Sequence, residues 1–218
     1  MHQTIIRFPD LQLNRRDGHK LRGYFAGQFG EQSDLWHNHR EDGKVIYRYP
    51  LIQYKVIDGQ PMVIGMGEGA RLLTEHFLEV RELQLDERQY TIHSKQIESR
   101  QVPVGANGQL YTYEFQSPWF ALNQKNYRLY QEAGEAGRQA LLQKLLAEHI
   151  LALFKGIGHW EEQHVMAAPP LLRPLSAKFK NRSMLMFAGS FSANVLLPEY
   201  AGLGKSVARG YGTVKKTG

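Results

Sequence analysis

The chain of 218 residues contains no cysteine, which excludes disulfides, thiolate metal sites and a cysteine nucleophile. It also lacks any run approaching the ~18 apolar residues that a membrane-spanning helix requires. The N-terminal residues Met1, His2, Gln3, Thr4, Ile5, Ile6 and Arg7 do not have the form of a secretory leader. A soluble, cytoplasmic protein without membrane attachment is expected. Acidic residues are the minority: 21 Asp and Glu against 27 Lys and Arg leave a net charge of +6. That excess favours a polyanionic partner without specifying one. No repeat appears at solenoid periods.

What is abundant is glycine near the C-terminal end. Gly202, Gly204, Gly210 and Gly212 follow the spacing G-x-G-x5-G-x-G and enclose Lys205, Ser206 and Arg209. Glycine tolerates positive φ and has no Cβ, so such a loop can turn backbone N–H groups outward and allow close approach of another chain. With two cations added, a phosphate or phosphodiester is the natural guest. The loop is not a Walker loop, which needs G-x-x-x-x-G-K-[ST] between a strand and a helix. Two further basic clusters accompany it: Arg15, Arg16, Lys20 and Arg22 near the front, and Arg173, Lys178, Lys180 and Arg182 in a late turn. Any one is ordinary solvated charge; three beside a glycine loop suggest phosphate tracking.

The pattern along the chain predicts an α+β protein. Residues 4–8 read as a strand, and Leu21, Tyr24, Phe25 and Phe29 recur at helical spacing, with Gly30 as the stop. Two strands over 45–55 and 61–66 are joined at Asp58-Gly59, a hairpin signal. A helix after Gly67 carries Leu72, Leu73, His76 and Phe77, and residues 80–85 supply a last strand. Strand, helix, strand, strand, helix, strand is the ferredoxin-like order. A second half is expected from residue 88, with strands at 89–98 and 110–115 and a helix at 123–131. The strongest helical stripe follows, through Leu142, Leu145, Leu146, His149, Ile150, Leu153 and Phe154. A long strand covers 183–197 and a short one 211–216. The domains expected are 1–87 and 88–218.

Candidate chemistry centres on His37 and His39, with Arg40 and Lys44 nearby. They do not suit zinc, because i, i+2 histidines in an extended segment point to opposite sides and lack a spaced partner. An imidazole with an ordinary pKa near ~6.5 can instead move a proton at neutral pH. Beside RNA it would activate a ribose 2′-hydroxyl against the adjacent phosphate, with Lys44, Arg40 or the Tyr24 phenol stabilising the added charge. No metal and no cofactor is required.

The glycine loop, preceded by residues 197–202, resembles the signature of the CRISPR-associated RAMP proteins, and more specifically of the Cas-six endoribonucleases. His37-Asn38-His39, followed by the Tyr-Pro-Leu-Ile-Gln-Tyr-Lys stretch at 49–55, resembles the N-terminal signature of one branch of that family. The resemblance spans nearly the whole chain. It implies tandem ferredoxin-like (RRM-like) domains and metal-independent maturation of precursor CRISPR RNA, leaving a 2′,3′-cyclic phosphate and a 5′-hydroxyl. It also implies a histidine base after the first helix: His39 first and His37 second, with Tyr24 and Lys44 assisting. The RNA-contacting set comprises Gly202, Gly204, Lys205, Ser206, Arg209, Gly210, Gly212, Arg173, Lys178, Lys180, Arg182, Arg16, Lys20 and Arg22. CRISPR repeat RNA is the expected partner; effector or adaptation subunits and a homodimer stay open. The alternatives are a non-catalytic RAMP subunit holding CRISPR RNA and a ferredoxin-like enzyme using the loop for a nucleotide.

Overall fold

A computed structural model describes residues 1–37, 46–179 and 182–217. His39, Arg40, Lys44 and Lys180 lie outside the described residues. The chain divides into two compact units, one of Met1–Val102 with Ala208–Gly210 and one of Pro103–Val207 with Tyr211–Gly218. Among the described residues no helix is long and apolar enough to cross a membrane.

The first unit is built from β1 (His2–Arg7), α1 (Gly18–Phe29), β2 (Ile52–Ile57), β3 (Gln60–Met66), α2 (Glu68–His76), β4 (Glu82–Leu85), β5 (Arg88–Thr91) and β6 (Gln96–Gln101). Its antiparallel sheet has the order β2-β3-β1-β6, which is the ferredoxin-like arrangement. The Asp58-Gly59 turn forms as expected, with φ of 49° and 81°. Both central residues adopt positive φ, the requirement of a tight two-residue hairpin. Leu21, Phe25 and Phe29 put one stripe of α1 onto the sheet, where Ile6, Tyr54, Val56 and Val63 meet it in a single core. Each such side chain contributes about 1.5–3 kcal/mol of burial.

Three expectations need correction. The strand expected over 45–55 begins only at Ile52 within the described residues. The segment expected to close the first sheet, 80–85, instead pairs as β4 with β5 in a separate hairpin. The closing strand is β6, which pairs with β1 from His2↔Gln101 to Arg7↔Gln96. Residues 89–98, expected to open the second half, therefore belong to the first unit, whose continuous part ends at Val102 rather than at 87. The reason is chemical. The six residues of β6 offer one aliphatic side chain, Ile97, and are held at the sheet edge by polar pairs such as Thr4–Ser99 at 2.8 Å.

The second unit repeats the theme with β7 (Gly105–Phe115), α3 (Gln124–Glu132), α4 (Glu135–Gly156), β8 (Leu171–Phe179), β9 (Arg182–Leu196) and β10 (Val214–Thr217). Its sheet order, β10-β7-β9-β8, is again ferredoxin-like. The α4 stripe buries Leu142, Leu145, Leu146, Ile150, Leu153 and Phe154 as the periodicity predicts. Aromatic rings fill the space opposite: Phe115 stacks on Trp119 at 5.3 Å and Tyr113 on Phe191 at 5.4 Å. Pro174 is tolerated because β8 is an edge strand, where its missing N–H breaks no inner ladder. Where a ferredoxin unit carries its second helix, between β9 and β10, this chain has only a short 3-10 turn at Val207–Arg209 inside the glycine-rich loop. Pro198 and four glycines in that stretch cannot sustain a helix.

Candidate RNA-binding and catalytic site

In the first unit, an aromatic cluster sets the position of His37. Phe25 and Phe29 of α1 pack on Trp36, with ring centroids 6.0 and 4.9 Å away, and Tyr54 of β2 lies 5.4 Å from Phe25. Ser33 caps the turn Asp34–Trp36 by accepting the Leu35 N–H at 3.2 Å. The buried Tyr54 hydroxyl donates to the Trp36 carbonyl at 3.0 Å. One residue later, the Arg22 guanidinium of α1 donates through Nη2 to the His37 carbonyl. The His37 ring rests over Gly30: a Cβ built there would come 2.8 Å from Cδ2 and 2.9 Å from Nε2. Gly30 thus ends α1 as expected, and its bare Cα also makes room for the imidazole. Arg48 closes on Asp34 at 2.6 Å, pinning the chain on the far side of the undescribed residues.

Ala208–Gly210, the tip of the glycine loop, belong to this same unit. The Arg209 carbonyl lies 2.8 Å from where a Gly18 Cβ would stand, so α1 begins with the one residue that admits it. Gly210, at φ +88°, is packed against the Tyr54 carbonyl and the Lys55 Cα. Gly18 and Arg22 are i and i+4, one above the other on α1. Arg22 feels the Arg209 charge: burial, and then that charge, lower its pKa from the ordinary value. His37, Arg22 and Arg209, expected separately, are brought together.

Other expected residues are placed differently. Tyr24, two positions from Arg22 on α1, has its phenol pKa raised by burial and then by the Glu82 carboxylate of β4, so it remains a neutral donor. Lys20 bridges Asp17 and Asp86, 2.9 Å from each, and its charge is already matched. These carboxylates, chiefly Asp17, raise its pKa. Arg16 stands in the exposed turn Arg15–Asp17 before α1. Arg173 lies on β8 across from Ala188, and Lys178 and Arg182 fall at the far end of the β8–β9 hairpin.

In the second unit three N–H groups of the glycine loop turn inward, where outward N–H groups are expected. Leu203 N–H donates to the Gly212 carbonyl at 2.8 Å, Lys205 N–H to Phe120 at 3.0 Å and Gly212 N–H to Pro118 at 2.9 Å. The glycines serve close packing instead. A Cβ on Gly212 would stand 2.0 Å from the Leu203 carbonyl oxygen, and one on Gly204 2.7 Å from that of Phe120. Gly202 bridges to Thr213, and Ser206 takes φ 58°. The cations of this stretch are carried by its side chains. Lys205 is exposed with Nζ 5.0 Å from the centre of the Phe120 ring, and Lys216 and Lys215 lie over Tyr111 and Tyr200 at 4.5 and 5.8 Å. His149 beneath the loop is neutral at physiological pH, its pKa lowered to about 4 by burial and then by Lys205.

Lys55 had no expected role, although it ends the signature stretch 49–55. It is fully buried, and desolvation lowers its pKa to about 7. Alternation gave no clue, because every residue of β2 is buried on both faces. Among the described residues no group of three or more His, Asp or Glu side chains could hold a metal ion.

Family models describe the two parts of the chain: the Cas6b N-terminal domain matches residues 2–103 and the Cas6b C-terminal domain residues 105–217. A crystal structure of Cas6b superposes with a TM-score of 0.93 at 35% identity, covering 99% of both chains. A second, described as the CRISPR RNA processing endoribonuclease Cas6b, gives 0.79 at 32% identity over 100% of both. An uncharacterised protein of Methanocaldococcus jannaschii is 33% identical over 140 residues, 64% of this chain and 95% of its own length. With both domain models matched from one end of the chain to the other, the chain belongs to the Cas6b family.

Proposed function

We propose that this chain matures precursor CRISPR RNA by cutting within the repeat, without a metal ion. An imidazole of the His37/His39 pair takes the proton of a ribose 2′-hydroxyl. The freed oxygen bonds to the adjacent phosphorus as the bond to the 5′-oxygen breaks, and that oxygen leaves with a proton. The products are a 2′,3′-cyclic phosphate and a 5′-hydroxyl. General acid–base assistance of this kind supplies about 10²–10⁴-fold, and nearby guanidinium groups stabilise the charge gathering on phosphorus. The observation that carries the reading is the gathering of His37, Arg22 and Arg209 within one compact unit. Membership of a family whose solved members include a CRISPR RNA processing endoribonuclease supports it.

The test is incubation with a CRISPR repeat transcript in EDTA, followed by end-group analysis. Cyclic-phosphate and 5′-hydroxyl ends are expected, and a single 2′-deoxy substitution at the cut site should abolish the reaction. Binding without cutting would identify a non-catalytic RAMP subunit, and cutting of the 2′-deoxy substrate would refute the hydroxyl mechanism.

RNA affinity should also separate two lysines. Lys205→Ala is expected to weaken binding and reduce the salt dependence by about 0.7 in log–log slope, one phosphate contact to a single strand. Lys20→Ala, whose charge is already matched by Asp17 and Asp86, should leave both within about twofold by the same counterion argument. Titration by fluorescence anisotropy at several salt concentrations decides between them.

A further inference from the structure

We infer that Arg22 is a positioning residue for the His37 imidazole, linking a phosphate held at Arg209 to the backbone of one of the two candidate bases. The inference rests on the endoribonuclease reading and adds to it a role that differs from direct RNA contact. Arg22 projects from α1, and its Nη2 donates to the His37 carbonyl. That carbonyl is one bond from the Cα bearing the imidazole. The ring has little freedom on its other side, where it rests over the bare Cα of Gly30. Trp36, the preceding residue, is fixed by Tyr54. Arg22 therefore supplies a fixed point on the backbone next to the ring-bearing Cα.

Arg22 also feels the charge of Arg209. The Arg209 backbone is seated against Gly18, one helical turn before Arg22. The Arg209 charge disfavours the Arg22 cation, and a phosphate oxygen bound at Arg209 relieves that repulsion. The relief favours the arrangement in which Arg22 stays on the His37 carbonyl. By linkage, whatever RNA contributes to the Arg22 contact, that contact returns to RNA binding. The first unit thereby couples substrate phosphate to base placement through one planar side chain. Lysine cannot reproduce this, since it is shorter and lacks the fork.

The experiment compares wild type, Arg22→Ala, Arg22→Lys, Arg209→Ala and the double alanine variant. It measures single-turnover cleavage at saturating protein, together with binding to a 2′-deoxy, uncleavable repeat RNA. A misplaced base costs on the order of 10²-fold, so Arg22→Ala should lower the saturating rate by about that factor while Kd stays within about threefold. Arg209→Ala should raise Kd, and the rate losses of the two variants should not add, because Arg209 acts on the base through Arg22. Arg22→Lys should bind as wild type and still cut slowly. Thermal melts report folding; should Arg22→Ala fail to fold, the rate and Kd of Arg22→Lys carry the decision. Either of two results overturns the role: a saturating rate equal to wild type, or a defect confined to Kd, which would make Arg22 a phosphate contact. Failure of the wild type to cut would instead sink the endoribonuclease reading.

Discussion

Replacing both His37 and His39 by alanine should reduce repeat cleavage by about 10³-fold or more, within the range of general acid–base assistance, while RNA affinity changes little. The reasoning separates side chain from backbone. Arg22 bonds to the His37 carbonyl, which alanine retains, so the Arg22 contact survives the substitution. The ring over Gly30 is removed without adding bulk. The variant should therefore fold, bind and fail to cut. The two single variants then assign the base, and the one with the larger loss carries it. Gel-based single-turnover assays and anisotropy give the two readouts; a double variant cutting within about tenfold of wild type would remove the imidazoles from the chemistry.

Stability should rise as the solution becomes alkaline, by roughly 3 kcal/mol between about pH 7 and about pH 9.5. The cause is Lys55, whose pKa burial lowers to about 7 in the folded chain. In the unfolded chain the same ammonium titrates near its ordinary ~10.4. Between those values the unfolded state binds the extra proton, so raising the pH favours the folded state; below about 7 both states are protonated and the burial penalty is felt in full. Lys55→Met keeps the volume and removes the titration. The variant should be more stable than wild type at pH 6 and lose this alkaline gain, as measured by urea unfolding across the pH range. A wild-type stability flat from pH 7 to 9.5 would contradict the neutral buried amine.

Much of the fold was legible because apolar periodicity and turn chemistry are local. The α4 stripe from Leu142 to Phe154, the Asp58-Gly59 hairpin and the Leu21, Phe25, Phe29 face of α1 are all sequence patterns that the core uses directly. What escaped was fixed by partners distant in sequence. Gln96–Gln101 has little hydrophobic signal and becomes a strand only because β1 offers it an open edge. Lys20 reads as a free cation until Asp86 folds back onto it. The glycine loop reads as an outward nest, yet the N–H groups of Leu203, Lys205 and Gly212 donate to the carbonyls of Gly212, Phe120 and Pro118. The candidate site is legible as an inventory, since His37, Arg22 and Arg209 each stand out by residue type in the sequence. Their adjacency depends on Gly18 admitting the Arg209 backbone, which spacing could not reveal.

The division of the chain has a consequence for its synthesis. Ala208–Gly210 complete the first unit, but they leave the ribosome only after the whole of residues 103–207. A nascent chain that stops after Val102 already contains all four strands of the sheet β2-β3-β1-β6, while Gly18 and the Tyr54 carbonyl await the segment that covers them. Arg22 in that chain has no Arg209 beside it. Translation order thus withholds the last piece of the first unit until residues 103–207 have been made, and a product interrupted before them carries His37 and Arg22 without Arg209.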